Sequence, residues 1–122
     1  MKALTICQPY AHLIAIGEKW VENRKWKTDY RGPLAIHAGK SKEFLTYQDM
    51  QKHPDMDFGS VIAIADLTAC VHITKAYGYL LEHEHTEGPW CWVLKNVRQI
   101  DPVRVSGAQG LWDWNCEQEA TA

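Results

Sequence analysis

The residues with the most distinctive types and spacing lie in one short string, Gly17-Glu18-Lys19-Trp20-Val21-Glu22-Asn23-Arg24, which has the pattern G-x-K-x-x-E-x-R. Lysine offers a point charge for a phosphate or a polarised carbonyl, and arginine offers a forked donor. Glutamate can pair with either cation or accept a hydrogen bond from a base edge. Lys19, Glu22 and Arg24 are therefore candidates for binding a polar or anionic ligand. In the alternative interpretation, Glu22 and Arg24 form a structural ion pair that fixes a strand.

Positive charge is concentrated around this string. Residues 17–42 contain seven Lys or Arg and three Asp or Glu, a local balance of +4 in a chain of net charge −2, so the remainder carries −6. Trp20, Trp26, Tyr30 and His37 are interleaved with these cations. Such a composition is typical of a surface that neutralises phosphates and stacks bases. The alternative is a solvated rim of lysines over ordinary core aromatics.

The elements on either side must position these side chains. Residues 3–7 predict a strand, and the apolar spacing from Pro9 to Gly17 predicts a short helix that ends at the glycine. Alternation in residues 20–26 places Glu22 and Arg24 on one strand face together with two tryptophans. Lys19 has the opposite parity, so it joins them only if the turn after Gly17 is irregular.

The rest of the chain predicts a small closed or half-closed barrel with short helices. The expected elements are a strand at 34–38, a surface helix at 41–51 capped by Ser41, a central strand at 61–72, a helix or loop at 75–88, a strand at 89–98 and a last edge strand at 100–105. We expect a single domain over residues 1–114 and a frayed tail over 115–122.

Composition limits the class of protein. A chain of 122 residues with 46% hydrophobic residues suits one continuous core. Its four cysteines are widely spaced with no C-x-x-C pair, and neither a signal-type segment nor a membrane-length apolar run is visible. We therefore expect a cytoplasmic protein with no membrane partner.

Three other groups of residues resemble a zinc site, a phosphate loop and a cysteine–histidine nucleophile, but each matches its pattern poorly. His83-Glu84-His85 with Cys91 matches no closed zinc site. Gly39-Lys40-Ser41 lacks the first glycine of a phosphate loop, because Leu34 stands there. His37 with Cys7 or Cys91 is more simply explained by buried cysteines. We expect no metal and no cofactor.

The string at 17–24 resembles the signature of the ASCH family (activating signal cointegrator homology), small barrels similar to PUA and EVE domains. The resemblance continues, in the family's order, through Gln8-Pro9-Tyr10, Arg31-Gly32, Ile36-His37-Ala38, the central strand, Trp92-Val93-Leu94 with Val97-Arg98, Pro102-Val103 and Gly110-Leu111-Trp112. It implies an α+β fold, a small PUA-like β-barrel with short helices packed around it.

The resemblance also implies a cleft beside the first helix that binds RNA or single nucleosides. Carried over by position, Lys19, Glu22 and Arg24 are its signature residues. The leading hypothesis is an ASCH domain that binds single-stranded RNA or a modified nucleoside in a basic, aromatic-lined cleft. The expected ligand-binding residues are Gln8, Tyr10, Lys19, Glu22, Arg24, Trp26, His37, Lys40 and Trp92.

A small hydrolase is the second hypothesis. The family includes bacterial amidohydrolases that deacetylate acetylcytidine and proteins described as ribonucleases. The amidohydrolases carry a threonine nucleophile where this chain has Glu22, which weakens an acyl-transfer reading. If the chain is an enzyme, Lys19 and Glu22 are the expected catalytic pair, with the carboxylate orienting water. A third hypothesis, a protein-interaction adaptor, rests on the length and polarity of residues 75–88, and its protein partner is unknown.

Overall fold

The structure, a computed structural model, describes residues 1–115, which contain six strands and three short α-helices. The strands are β1 (Lys2–Ile6), β2 (Val21–Arg24), β3 (Gly32–Ala38), β4 (Ser60–His72), β5 (Trp90–Arg104) and β6 (Leu111–Asp113). The helices are α1 (Tyr10–Ala15), α2 (Tyr47–Lys52) and α3 (Tyr79–Glu82), and a single 3₁₀ turn covers Ile73–Lys75.

The six strands form one sheet in the order β2-β5-β4-β3-β1-β6. β1 pairs with β3 in parallel, and the remaining neighbours are antiparallel. The sheet curls into a half-barrel flanked by the three short helices, so the α+β barrel-like architecture expected from the sequence is confirmed.

Strand alternation divides the core between the two sides of the sheet. Leu34 and Ile36 of β3 face a cluster that includes Leu4, Trp92 and Leu94. Ala35, the intervening residue, faces a smaller cluster on the other side with Ala3, Val61 and Trp114. The alternation predicted for residues 34–38 is therefore confirmed, and both faces of the central sheet exclude water.

Helix α1 covers the larger of these clusters. Its buried residues Ala11, Ile14 and Ala15 lie on one face, against β3, β4 and β5. Beyond the helix, Gly17 adopts φ +84°, a left-handed conformation that favours glycine and ends the helix. The chain thus turns sharply from α1 toward β2, which carries the candidate site.

Two sequence expectations about elements were wrong. The surface helix begins after Thr46, not Ser41, because Thr46 and Asp49 form a reciprocal capping box. Residues 89–98 and 100–105 do not form separate strands, because one continuous strand, β5, runs from Trp90 to Arg104. Because β5 lies between β2 and β4, the sheet edges within residues 1–115 are β2 and β6.

The beginning of the described chain lies beside its end. The Trp114 amide donates to Met1 O at 2.8 Å, and Lys2 Nζ lies 2.9 Å from Asp113 Oδ1. The tail expected over residues 115–122 lies outside the described residues apart from Asn115. Within residues 1–115, no helix is long and apolar enough to span a bilayer.

Candidate nucleotide-binding cleft

The turn before β2 brings Lys19 to the side chains of the strand. The amides of Glu18 and Lys19 both donate to Leu13 O, at 2.9 and 3.0 Å, so the turn is held to α1. Lys19 precedes the strand and is therefore not bound by its alternation. The irregular turn expected from the strand parity of Lys19 is present, and it lets Lys19 reach Glu22.

Glu22 is held between two cations. Lys19 Nζ donates to Glu22 Oε1 at 3.0 Å, and it also donates to Val21 O. Arg24 reaches Glu22 Oε2 through Nε at 3.0 Å and Nη2 at 2.9 Å, and its Nη2 donates to Thr5 O at 2.8 Å. Lys19 is 2% exposed and Glu22 is 7% exposed. We call these three residues the ion triad; it combines two cations with one carboxylate, so it carries a net positive charge.

The ion triad lies in a cavity of about 490 Å³, which we call the cleft. Its lining combines polar groups with flat rings. The lining residues are Thr5, Ile6, Cys7, Tyr10, Lys19, Glu22, Asn23, Arg24, Lys25, Trp26, Phe44, His85 and Glu87. A concave site with a few convergent polar groups is the usual form of a small-molecule or cofactor site.

The rings of Tyr10 and Trp26, which line the cleft, both contact neighbouring side chains. Lys19 Nζ lies 5.8 Å from the centre of the Tyr10 ring, within cation–π range. Tyr10 is also 5.9 Å from Phe44. Trp26, 38% exposed, meets Trp92 edge to face at 4.8 Å, and Trp26 O accepts a hydrogen bond from Trp92 Nε1 at 3.3 Å. Trp26 thus packs against buried Trp92 on one side, while part of its surface remains accessible to solvent.

Five of the nine residues expected to bind ligand line the cleft. They are Tyr10, Lys19, Glu22, Arg24 and Trp26. Trp92 does not line it: this side chain is fully buried in the core, where it contacts Trp26.

Gln8 and Lys40 also lie outside the cleft lining. Gln8 is fully buried, accepts from the His12 amide at 2.8 Å and donates to Asp57 O at 2.7 Å. It therefore joins the first turn of α1 to the segment before β4. Lys40 is exposed, and its aliphatic stem packs over Gly59.

His37 belongs to a hydrogen-bonded chain outside the cleft lining. Burial lowers its pKa below the usual 6.5, although the hydrogen bond to Val105 O opposes this change. The neutral ring therefore donates from Nε2 to Val105 O at 2.7 Å and accepts at Nδ1 from the Thr5 hydroxyl at 3.1 Å. Thr5 Oγ1 in turn accepts from Trp112 Nε1 at 3.2 Å. His37 thus connects β3 to the segment that follows β5.

Residues 85–88 form a wall of the cleft that local sequence patterns do not indicate. His85 and Glu87 line the cleft, and Asn23 bonds to the backbone of this wall. Upstream, His83 stacks on Trp20 with ring centres 4.5 Å apart. The partners of Asn23 are 62 to 65 residues away in sequence, so no local pattern could reveal them.

The grouping considered for a zinc site is not assembled in the described residues. Among residues 1–115 there is no group of three or more His, Cys, Asp or Glu placed to hold a metal ion. His85 Nε2 lies 3.7 Å from Glu84 Oε1, while His83 faces Trp20. Burial raises the pKa of the Cys91 thiol, which makes it a poor nucleophile.

Comparison with known proteins gives concordant sequence and structural matches. The ASCH domain family matches residues 4–104. The human protein Activating signal cointegrator 1 is 24% identical over 124 residues, an alignment covering 89% of this chain and 21% of the human protein. The chain thus spans about a fifth of that relative.

The solved structures include two similar ones from Zymomonas mobilis. The crystal structure of its ASCH protein superposes with a TM-score of 0.61 at 16% identity, covering 98% of this chain and 90% of the other. The structure of a point variant of that protein also has a TM-score of 0.61, with 18% identity and 98% and 93% coverage. At these identities the likeness concerns the fold.

Proposed function

Because the chain belongs to the ASCH domain family, we propose that its cleft binds single-stranded RNA or a nucleotide. The observation that carries this proposal is the ion triad, with its net positive charge, inside a cavity walled by aromatic rings. Nucleotides combine a planar base with an anionic phosphate. The cleft offers a complementary surface for each.

The charge around the cleft supports the phosphate part of the proposal. Lys25 lines the cleft and is exposed. Lys27, Arg31 and Lys42, which belong to the basic region of residues 17–42, are also exposed. Exposed lysines and arginines bind phosphates by releasing counterions, and such binding weakens as salt increases. In a chain with net charge −2, attraction for RNA would therefore have to come from this local basic region.

The aromatic rings of the cleft support the proposal that it binds a nucleotide base. Trp26 and Tyr10 are cleft-lining rings held by neighbouring aromatics. Stacking of a base on such a ring contributes about 1–3 kcal/mol and tolerates different bases. Hydrogen bonds to Glu22 and to Thr5 O fix the guanidinium of half-buried Arg24, which holds the positive charge in place before any ligand arrives.

Fluorescence anisotropy with a short labelled single-stranded RNA, at low and moderate salt, tests the proposal. Lys25→Ala should weaken binding and lower the slope of log affinity against log salt by about one. Trp26→Ala should weaken binding by about 1–3 kcal/mol. The matched control is Lys95→Ala, an exposed lysine outside the cleft lining. Absence of binding at low salt, or binding indifferent to salt, contradicts the proposal.

Hydrolysis of a nucleoside or of RNA is the second candidate, favoured by the 3.0 Å contact between Lys19 Nζ and Glu22 Oε1 inside the cleft. Binding takes precedence because both carboxylate oxygens of Glu22 are already engaged by cationic donors. Incubation with acetylcytidine and with labelled RNA tests it. Turnover by the wild type that is lost in folded Lys19→Ala and Glu22→Gln variants supports an enzyme, and no turnover with either substrate excludes these two reactions.

A further inference from the structure

One side chain of β2 holds the wall formed by residues 85–88. Asn23 Nδ2 donates to His85 O at 2.8 Å. Its Oδ1 accepts from the amides of Glu87 at 2.9 Å and Gly88 at 2.8 Å. A single amide therefore uses both its donor and its acceptor on the backbone of one four-residue segment. Such a bidentate arrangement fixes position and orientation together.

The bonded segment faces the cleft. His85 and Glu87 are lining residues, as is Asn23 itself. The segment has attachments besides Asn23: Thr86 Oγ1 donates to Leu80 O at 2.6 Å, and Gly88 packs closely against Ile73. Just upstream of the segment, His83 stacks on Trp20. Asn23 lies between Glu22 and Arg24 on β2, so it is placed to set the distance between this wall and the ion triad.

We propose that Asn23 is a positioning residue that keeps the cleft narrow enough to hold one nucleotide. This inference rests on the proposed nucleotide-binding function and specifies the size of its ligand. Small-molecule sites occupy about 300–1,000 Å³, and the cleft, at about 490 Å³, falls in the lower part of that range. Phe44 and Tyr10 are further lining residues, in contact with each other. Additional nucleotides of an RNA would have to lie outside the cleft.

The binding test compares the four ribonucleoside 5′-monophosphates with a trinucleotide. Asn23→Ala should weaken the best monophosphate by about tenfold, equivalent to about 1.4 kcal/mol, and the trinucleotide by less than about threefold. A monophosphate has only the cleft walls to hold it, whereas a trinucleotide can use the released space and surfaces outside. The control is Asn96→Gly, which removes an asparagine outside the cleft lining.

Asn23→Asp is the conservative variant. Its carboxylate can still accept from the Glu87 and Gly88 amides but cannot donate to His85 O. Because the added negative charge should weaken both ligands, the readout is the ratio of their affinities, which should remain near that of the wild type. Amide hydrogen exchange gives a ligand-free readout: Asn23→Ala should speed exchange at Glu87 and Gly88 at least tenfold, and Asn23→Asp should not.

The outcomes separate the two proposals. Wild-type protein that binds neither ligand overturns the proposed function and the size limit together, while exchange still shows whether Asn23 holds the wall. If the wild type binds and Asn23→Ala loses the same affinity for both ligands, or loses none, the size limit alone is overturned. Unchanged exchange at Glu87 and Gly88 overturns the positioning role whatever the affinities.

Discussion

Glu22 keeps two cations inside the cleft that would otherwise be unpaired. Lys19 is 2% exposed, and Arg24 is anchored on both Glu22 and Thr5 O. Removing one partner from a buried charge network is costly because the remaining charges lose their compensation. The carboxylate therefore stabilises the fold as well as shaping the cleft.

Glu22→Gln should lower the free energy of unfolding by about 3 kcal/mol, because a neutral amide replaces the only carboxylate of the ion triad. Urea unfolding followed by tryptophan fluorescence measures this change. Glu43→Gln, at an exposed glutamate, is the matched control and should have little effect. Equal stability of the two variants would show that the ion triad is not energetically important.

The sequence predicted which side chains of the signature string come together, but not the wall opposite them. Lys19, Glu22 and Arg24 were identified by residue type and spacing over six positions, and the structure brings them into contact. Asn23 lies in the same string, yet its partners belong to a segment more than 60 residues away. Contacts of that kind depend on tertiary packing, which local periodicity does not encode.

Strand β5 shows the same limit at the level of secondary structure. Pro102 removes a backbone donor and therefore favoured an interpretation with a separate edge strand at residues 100–105. In the structure, the pairing of β5 with β4 shifts register between Val61 and Ala63, whose partners are Val103 and Gln99. Pro102 thus falls in an irregular stretch of the ladder, where a missing donor is tolerated.

Asn96 marks another irregularity within β5. Its φ is +52°, a left-handed conformation that disfavours residues with a Cβ other than asparagine or aspartate. Asn96→Gly should therefore be more stable than Asn96→Ala by about 0.5–1 kcal/mol, after allowing for the greater freedom of glycine in the unfolded chain. Both variants lose the hydrogen bond to Asp66, so their comparison isolates the backbone. Chemical denaturation measures it, and an alanine variant as stable as the glycine variant contradicts it.

Three histidines, one in α1, one in β3 and one directly after α3, make stability depend on pH in the same direction. Burial lowers the pKa of His12, His37 and His83 below the usual 6.5, with added repulsion from His53 on His12 and from His85 on His83. The unfolded chain therefore takes up protons at these sites at a higher pH than the folded protein does. Unfolding free energy should then decrease as pH falls below about 6.5.

Urea unfolding at pH 7.5, 6.5 and 5.5 tests this expectation. His37→Gln should be less stable at pH 7.5, because a buried donor–acceptor chain is broken, but its stability should change less with pH. The pKa values of Asp66 and Asp113 are lowered from 3.8, so their titration does not interfere in this window. A wild-type stability that is constant or rises toward pH 5.5 would contradict the argument.

The hydrogen bond from the Trp114 amide to Met1 O, and the contact of Lys2 with Asp113, place entry and exit of the fold side by side. A polypeptide can leave another domain, pass through this one and return to nearly the same point. A fold of this shape can be inserted into another domain without large distortion, because the two points of connection lie close together.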